Sequence, residues 1–210
     1  MHDLSLPAAK QSVTADHRLV ILALGGASTA GIAAIDPAAS YPAQLQAALT
    51  AALPGVQVSV TNEGVPNTAT AAVPPKIPAA IERTGATLVI WAPGGRAAVG
   101  RSGPAEFFDA VQAGIEAVRN VRADLILIDM QYVPSMEQFS HMEDYRDLLR
   151  GAASANDVPL LLRHDLMRVW SDDGLLDLDA TGAAERTATA RKLFLCLAQT
   201  LAVSIREAVH

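Results

Sequence analysis

Residues 19–24, 56–61, 88–91, 125–129 and 159–162 form short strand-like runs separated by segments of helical spacing, and this alternation constrains the fold more than any other feature. Runs that are apolar throughout, such as Leu19-Val20-Ile21-Leu22-Ala23-Leu24, suit strands buried on both faces, which means a parallel sheet with helices on either side. The helical segments are 41–53, 76–83, 104–121, 141–155 and 182 to about 209, with Pro104 at a helix start, where its missing amide hydrogen costs nothing. The spacing predicts an α/β, three-layer α/β/α sandwich. At 210 residues, with no repeat, low-complexity tract or linker, the chain makes one domain rather than two.

Composition removes several function classes. Half of the residues are hydrophobic, 18% are charged and the net charge is −6, so clustered basic charge for nucleic acid or anionic membranes is missing. No G-x-x-x-x-G-K-[ST] and no strand-linked G-x-G-x-x-G occurs, and no cofactor is expected. The single cysteine, Cys196, excludes an internal disulfide and a thiolate zinc cluster, and its apolar helical surroundings read as a packed thiol. Asp172, Asp173, Asp177 and Asp179 lack calcium-loop spacing and read as a solvated acidic loop, so no metal site is expected. Residues 1–16 carry charges and no apolar core of signal-peptide length. Cytoplasmic residence is the expectation, with a periplasmic location open if a leader has been trimmed. The apolar late segment 193–203, flanked by Arg191, Lys192 and Arg206, reads as a core-facing helix rather than a membrane insertion.

The first strand runs directly into Gly25-Gly26-Ala27-Ser28-Thr29-Ala30-Gly31, a run of small residues at the end of a strand where α/β active sites form. Further along come Ser40-Tyr41-Pro42, Asn62-Glu63-Gly64-Val65, Val89-Ile90-Trp91, Asp129-Met130-Gln131-Tyr132-Val133-Pro134, Leu166-Met167-Arg168-Val169-Trp170 and Asp173-Gly174-Leu175. In this order the stretches resemble the SGNH or GDSL hydrolases, in particular a bacterial branch whose first motif reads G-S-S-S-T-A-G. The resemblance spans residues 19 to about 205. It implies a flavodoxin-like sheet of five parallel strands, and a family activity on esters, thioesters or acetyl groups carried by serine, histidine and aspartate. On this basis residues 17–210 form the single hydrolase-like domain, and residues 1–16 a poorly ordered N-terminal extension.

The family's catalytic letters are replaced. With Thr29 and Gly31 aligned, the nucleophile position holds Ala27, and a methyl group cannot attack a carbonyl. Ser28 is adjacent; it reads either as a helix cap or loop-packing residue facing away from the reaction, or as a displaced nucleophile. Asn67 occupies the glycine position that supplies an oxyanion-hole amide; asparagine keeps that amide and tolerates positive φ. Arg96 stands where the third motif has asparagine, and reads as a surface arginine or a pocket arginine. Asp173 keeps the aspartate of the last motif, while Leu176, or Asp177 if the alignment slips, takes the histidine position. Among His2, His17, His141, His164 and His210, only His164, beside Asp165, is on the catalytic side of the sheet.

These readings lead to a catalytically inactive SGNH-like binding or accessory module. Its ligand-binding candidates are Ala27, Ser28, Asn67, Arg96 and Asp173, with Arg96 and Asp173 pairing across the vacated site or leaving a small anion pocket. The partner is a protein or a small anionic or ester ligand of unidentified kind. The alternative is an ester or acetyl-ester hydrolase with relocated chemistry on Ser28 and His164.

Overall fold

The computed structural model describes residues 4–95, 97, 103–134 and 142–210. Its centre is strand β1 (Arg18–Gly25), in which every residue but Arg18 is buried. β1 pairs in parallel with β2 (Gln57–Gly64) on one side and β3 (Leu88–Ala92) on the other. β4 (Asp124–Ile128) and the two-residue β5 (Leu160–Leu161) extend the sheet, again in parallel, to give the order β2-β1-β3-β4-β5. The expected five-stranded parallel sheet and the α/β sandwich are thus observed, with strand bounds shifted by three residues at most.

Side chains alternate across the sheet and build one core on each face. Leu19, Ile21 and Ala23 of β1 join Leu88, Ile90, Ile126 and Ile128 on the first face. There they meet α1 (Pro7–Asp16), α3 (Tyr41–Ala52), α7 (Arg163–Asp172) and α8 (Ala183–Val209), after the single-turn α2 (Ala27–Ala30) that ends β1. Val20, Leu22, Val89, Trp91 and Leu127 face the other way, against α4 (Ile77–Thr84), α5 (Pro104–Asn120) and α6 (Met142–Ala155). α8 is long and apolar enough to cross a membrane by composition, but Leu193, Phe194, Leu197, Leu201 and Ile205 are buried in the first core. Its apolar stripe is a packing surface, as the sequence suggested. Cys196 on this helix is half-buried, and burial pushes its thiol above the ordinary range, with Lys192 acting the other way.

The N-terminal segment departs from expectation. Residues 7–16, read from sequence as part of a poorly ordered extension, form α1, and Leu6, Ala9 and Val13 are buried in the first core. Pro7 starts the helix, and the Asp124 carboxylate at the start of β4 accepts the Ala9 N–H at 2.8 Å. A carboxylate far along the chain thus satisfies a helix N-terminus that has no side-chain cap of its own. A ten-residue helix with a weak apolar stripe gives little signal until the sheet end it docks on exists.

The turn at the end of β1 is clamped from β2. Asn62 donates through Nδ2 to the Thr29 carbonyl at 2.9 Å and accepts the Gly64 N–H through Oδ1 at 3.0 Å. Gly64 lies so close to α2 that a Cβ there would press on backbone atoms of Thr29 and Ala30. This is the physical content of the Asn62-Glu63-Gly64 motif: one amide bridges two backbones that touch where a side chain would separate them. Backbone cannot yield as a side chain does, so Gly64→Ala should lower unfolding stability by about 1–3 kcal/mol. Urea denaturation followed by circular dichroism measures this, and an unchanged midpoint would contradict the close approach.

Candidate active-site cleft

The chain leaves β1 toward β2 on one side and returns to β3 on the other, so a crevice opens between β1 and β3 at their carboxyl ends. A cleft of about 710 Å³ occupies this position, floored by Gly25 to Thr29 from the end of β1 and by Ala92, Pro93 and Gly94 from the end of β3. Asn67, Met130 and Arg163 are among the residues of its walls. Gly94, at φ +95°, takes a left-handed conformation where a Cβ would collide with Met130 and Phe107.

Several sequence candidates meet here. Ala27 is exposed and lines the cleft, its methyl at the start of α2. Asn67 also lines the cleft and adopts φ +60°, the left-handed conformation that the sequence reading allowed for it. Ser28 differs from expectation. It caps nothing, since Gly26 is the N-cap of α2, and it faces the cleft rather than away from it. One turn of helix winds 100° per residue, so strand-like alternation does not continue beyond β1.

Ser28 is held by a residue that the sequence reading passed over. Arg163, the first residue of α7, is only 6% exposed and donates from Nη1 to Ser28 Oγ at 3.1 Å. Its Nε is buried with no acceptor. Burial pushes its pKa down to about 10, opposed by the charges of Asp129 and Tyr41. The guanidinium therefore stays protonated at neutral pH. The signal was present in the chain: a cation directly after Leu160-Leu161-Leu162 stands at the carboxyl end of a buried strand.

The last-motif residues do not reach the cleft. α7 runs from Arg163 to Asp172 and Asp173 is its C-cap, so Asp173 stands about 15 Å along the axis from Arg163. It is exposed and does not line the cleft. Leu176 is 3% exposed and packs in the first core. Asp177 is exposed, with its carboxylate accepting the Asp179 N–H, in keeping with a solvated acidic loop. Arg96 lies outside the described residues, and with it the Arg96–Asp173 pairing; so do His2 and His141.

His164 belongs to a different cavity, of about 390 Å³, shared with Tyr132, Arg146, Arg150 and Arg168. Its ring meets Tyr132 edge-on at 5.1 Å, and Nδ1 is 3.4 Å from Asp165 Oδ1. Burial and the charge of Arg146 hold its pKa below the ordinary value, against the pull of Asp165 and Asp129. The Ser28–His164 arrangement of the alternative reading is therefore not formed: Arg163 holds the serine and Asp165 faces the histidine. His17 sits at the amino end of β1 and His210 at the end of α8, so no described histidine lines the cleft. Among the described residues no cluster of three or more His, Cys, Asp or Glu could hold a metal.

Beside the cleft, Arg146 is clamped by three carboxylates, with Nε on Asp129 at 3.0 Å, Nη1 on Glu143 at 2.6 Å and Nη2 on Asp165 at 2.8 Å. Asp129 is fully buried and also accepts the Met130 N–H at 2.7 Å. Its motif position thus serves to anchor the strand end of β4.

The sequence matches the model of the Non-GDSL lipase-like family over residues 1–210. The chain belongs to that family. Its fold is that of the SGNH hydrolases. The structure of TesA superposes with a TM-score of 0.65 at 19% identity, covering 85% of this chain and 97% of that one. AlinE4, an SGNH-hydrolase family esterase, gives a TM-score of 0.62 at 24% identity, covering 79% of this chain and 86% of AlinE4. The esterase EstA from Pseudoalteromonas sp. gives 0.68 at 13% identity, over 90% and 97% of the two chains. A comparison with curated proteins finds no match. Members of this fold group include esterases, and the chain shares their hydrolase-like architecture.

Charged groups beside the cleft make stability depend on acid. The fold favours neutral His164, held below 6.5, so the unfolded chain takes up that proton first as pH falls. Asp165 and Glu143 are lifted by burial but brought net below 3.8 and 4.5 by Arg146, so a second loss sets in at lower pH. The melting temperature should hold level from pH 8 to about 7, decline below about 6.5 and fall more steeply below about 4.5. A differential scanning fluorimetry series reads this, and Arg146→Met should lower the plateau and flatten the decline below 4.5.

Proposed function

We propose that this chain is a catalytically inactive SGNH-hydrolase-like binding module whose cleft, at the family's active-site position, accepts a small anion. The observation that carries this reading is the Arg163–Ser28 hydrogen bond. Activating a serine hydroxyl needs a group that accepts its proton, and a guanidinium protonated up to about pH 10 only donates. Ala27 supplies no nucleophile of its own, and of the two candidates for the histidine position Leu176 is committed to the core while Asp177 is exposed and does not line the cleft. With base and nucleophile both replaced, the family mechanism has no route through these residues.

What remains is a site of different chemistry. Arg163 supplies positive charge at the cleft wall, and Asn67 keeps a left-handed backbone at the former oxyanion corner. In place of turnover, the module serves by holding a small anionic ligand or by acting as an accessory partner of another protein.

Hydrolysis of p-nitrophenyl acetate and butyrate tests this directly. Wild type and Ser28→Ala should both run at the spontaneous rate, consistent with losses on the order of 10⁶ when base and nucleophile are removed from a serine hydrolase. Turnover well above that rate which disappears in Ser28→Ala would establish the alternative, an ester hydrolase with relocated residues.

A further inference from the structure

We infer that a single internal water lies beneath the floor of the cleft, shared by Arg163 Nε, Tyr41 Oη and Thr29 Oγ1, and that through it Tyr41 and Thr29 act as positioning residues for the Arg163 guanidinium. The inference goes beyond the binding-module reading and holds whatever the cleft accepts. Three observations carry it.

The first is a concentration of unmet polar groups. Among the described residues four side-chain polar atoms are buried without a hydrogen-bond partner: Thr29 Oγ1, Tyr41 Oη, Thr87 Oγ1 and Arg163 Nε. Three of the four come together. Thr29 and Tyr41 are fully buried, and the end of α2 meets the start of α3 so closely that a Cβ at Gly31 would strike the Ser40 side chain. Arg163 reaches the same short helix, where its Nη1 donates to Ser28, the residue before Thr29. Buried polar groups are as a rule paired, and an unpaired one forfeits its hydration with nothing in return.

The second is the environment of the phenol. Burial pushes the Tyr41 hydroxyl up to about 12, while the Thr29 hydroxyl and the Arg163 charge both act in the opposite direction. These groups are near enough to act on Tyr41 Oη, yet neither forms an aligned direct hydrogen bond with it. An atom between them resolves that geometry.

The third is what the site admits. The guanidinium only donates and the hydroxyls both donate and accept, so the group between them must accept from Nε and donate to an oxygen. Arg163 already feels the charge of Asp129, and a neutral group adds no further buried charge. The Thr29 hydroxyl is packed directly under the ends of β1 and β3, where a Cβ on Gly25 would collide with it. Water is small, neutral and able both to accept and to donate, and a buried water with about three polar partners is an ordinary component of protein interiors. Held from below in this way, the guanidinium keeps Nη1 on Ser28 at the wall of the cleft.

The thiol of Ser28→Cys, in a Cys196→Ala background of the full chain, reports the position of the guanidinium. A cation that donates to a thiolate favours ionisation, so this thiol should be alkylated by iodoacetamide at pH 7 faster than a free thiol. Tyr41→Phe and Thr29→Val each remove a hydroxyl and no charge, and each should slow that alkylation by about threefold or more, with Thr29→Ser keeping the faster rate. A role in packing alone predicts the reverse at position 29, because valine is closer to threonine in shape than serine is. Rates unchanged by both hydroxyl removals overturn the positioning role. A free-thiol rate in Ser28→Cys itself overturns the Arg163–Ser28 contact, and with it the observation beneath the binding-module reading. A wild-type crystal structure at a resolution that shows ordered water decides without any substitution, should the variants fail to fold. One peak at hydrogen-bond distance from Nε, Oη and Oγ1 is expected, and direct contacts among the three groups, or no peak between them, overturn the inference.

Discussion

Strand β1 is the constraint from which the rest of the molecule follows. It is paired in parallel on both edges and buried on both faces, so helices must cover it from either side and the chain must pass over it in opposite directions to reach β2 and β3. That reversal opens the cleft, and the end of β1 supplies its floor. Asn62 and Gly64 then fix the turn by joining it to the neighbouring strand, so the floor has a defined shape whatever side chain occupies position 27. The turn is retained by packing and backbone hydrogen bonds, which do not depend on a catalytic hydroxyl.

Two buried arginines on either side of Asp129 show how one residue type acquires different roles. Arg146 is surrounded by three carboxylates, each accepting from one of its nitrogens, and it locks α6, the end of β4 and the start of α7 together. Arg163 has a serine hydroxyl, the through-space charge of Asp129 and an unpaired Nε. The first arrangement holds elements of the fold together, whereas the second leaves a charged group with few partners at the wall of the cleft. The cost of keeping Arg163 buried in that state falls on stability, and other contacts of the two cores offset it.

The alternation of strands and helices, both helical layers and the core-facing role of α8 were legible because they rest on local periodicity, which a sequence displays directly, whereas the flavodoxin-like sheet came from the family resemblance. Helix α1 was not legible, because its N-terminus is satisfied by Asp124, more than a hundred residues away, and its burial depends on a surface that sequence proximity does not reveal. At the site, the presence of Ala27 and of Asn67 at a left-handed turn could be read from the motif. The direction of Ser28 could not, since it depends on the chain turning helical one residue earlier than a strand-like extrapolation assumes.

The sequence alone determined the fold class and the location of the cleft at the strand ends, because these are properties of residue type and order. Only the tertiary structure decided what occupies the cleft. It buried Leu176 in the core, left Asp173 in solvent at the far end of α7, put His164 in a separate cavity, and brought Arg163 across to Ser28, 135 residues earlier in the chain. The reason is geometric: contacts between loop ends depend on how helices α2 and α7 are docked on the sheet, and that docking is set by the packing of both cores rather than by any segment by itself.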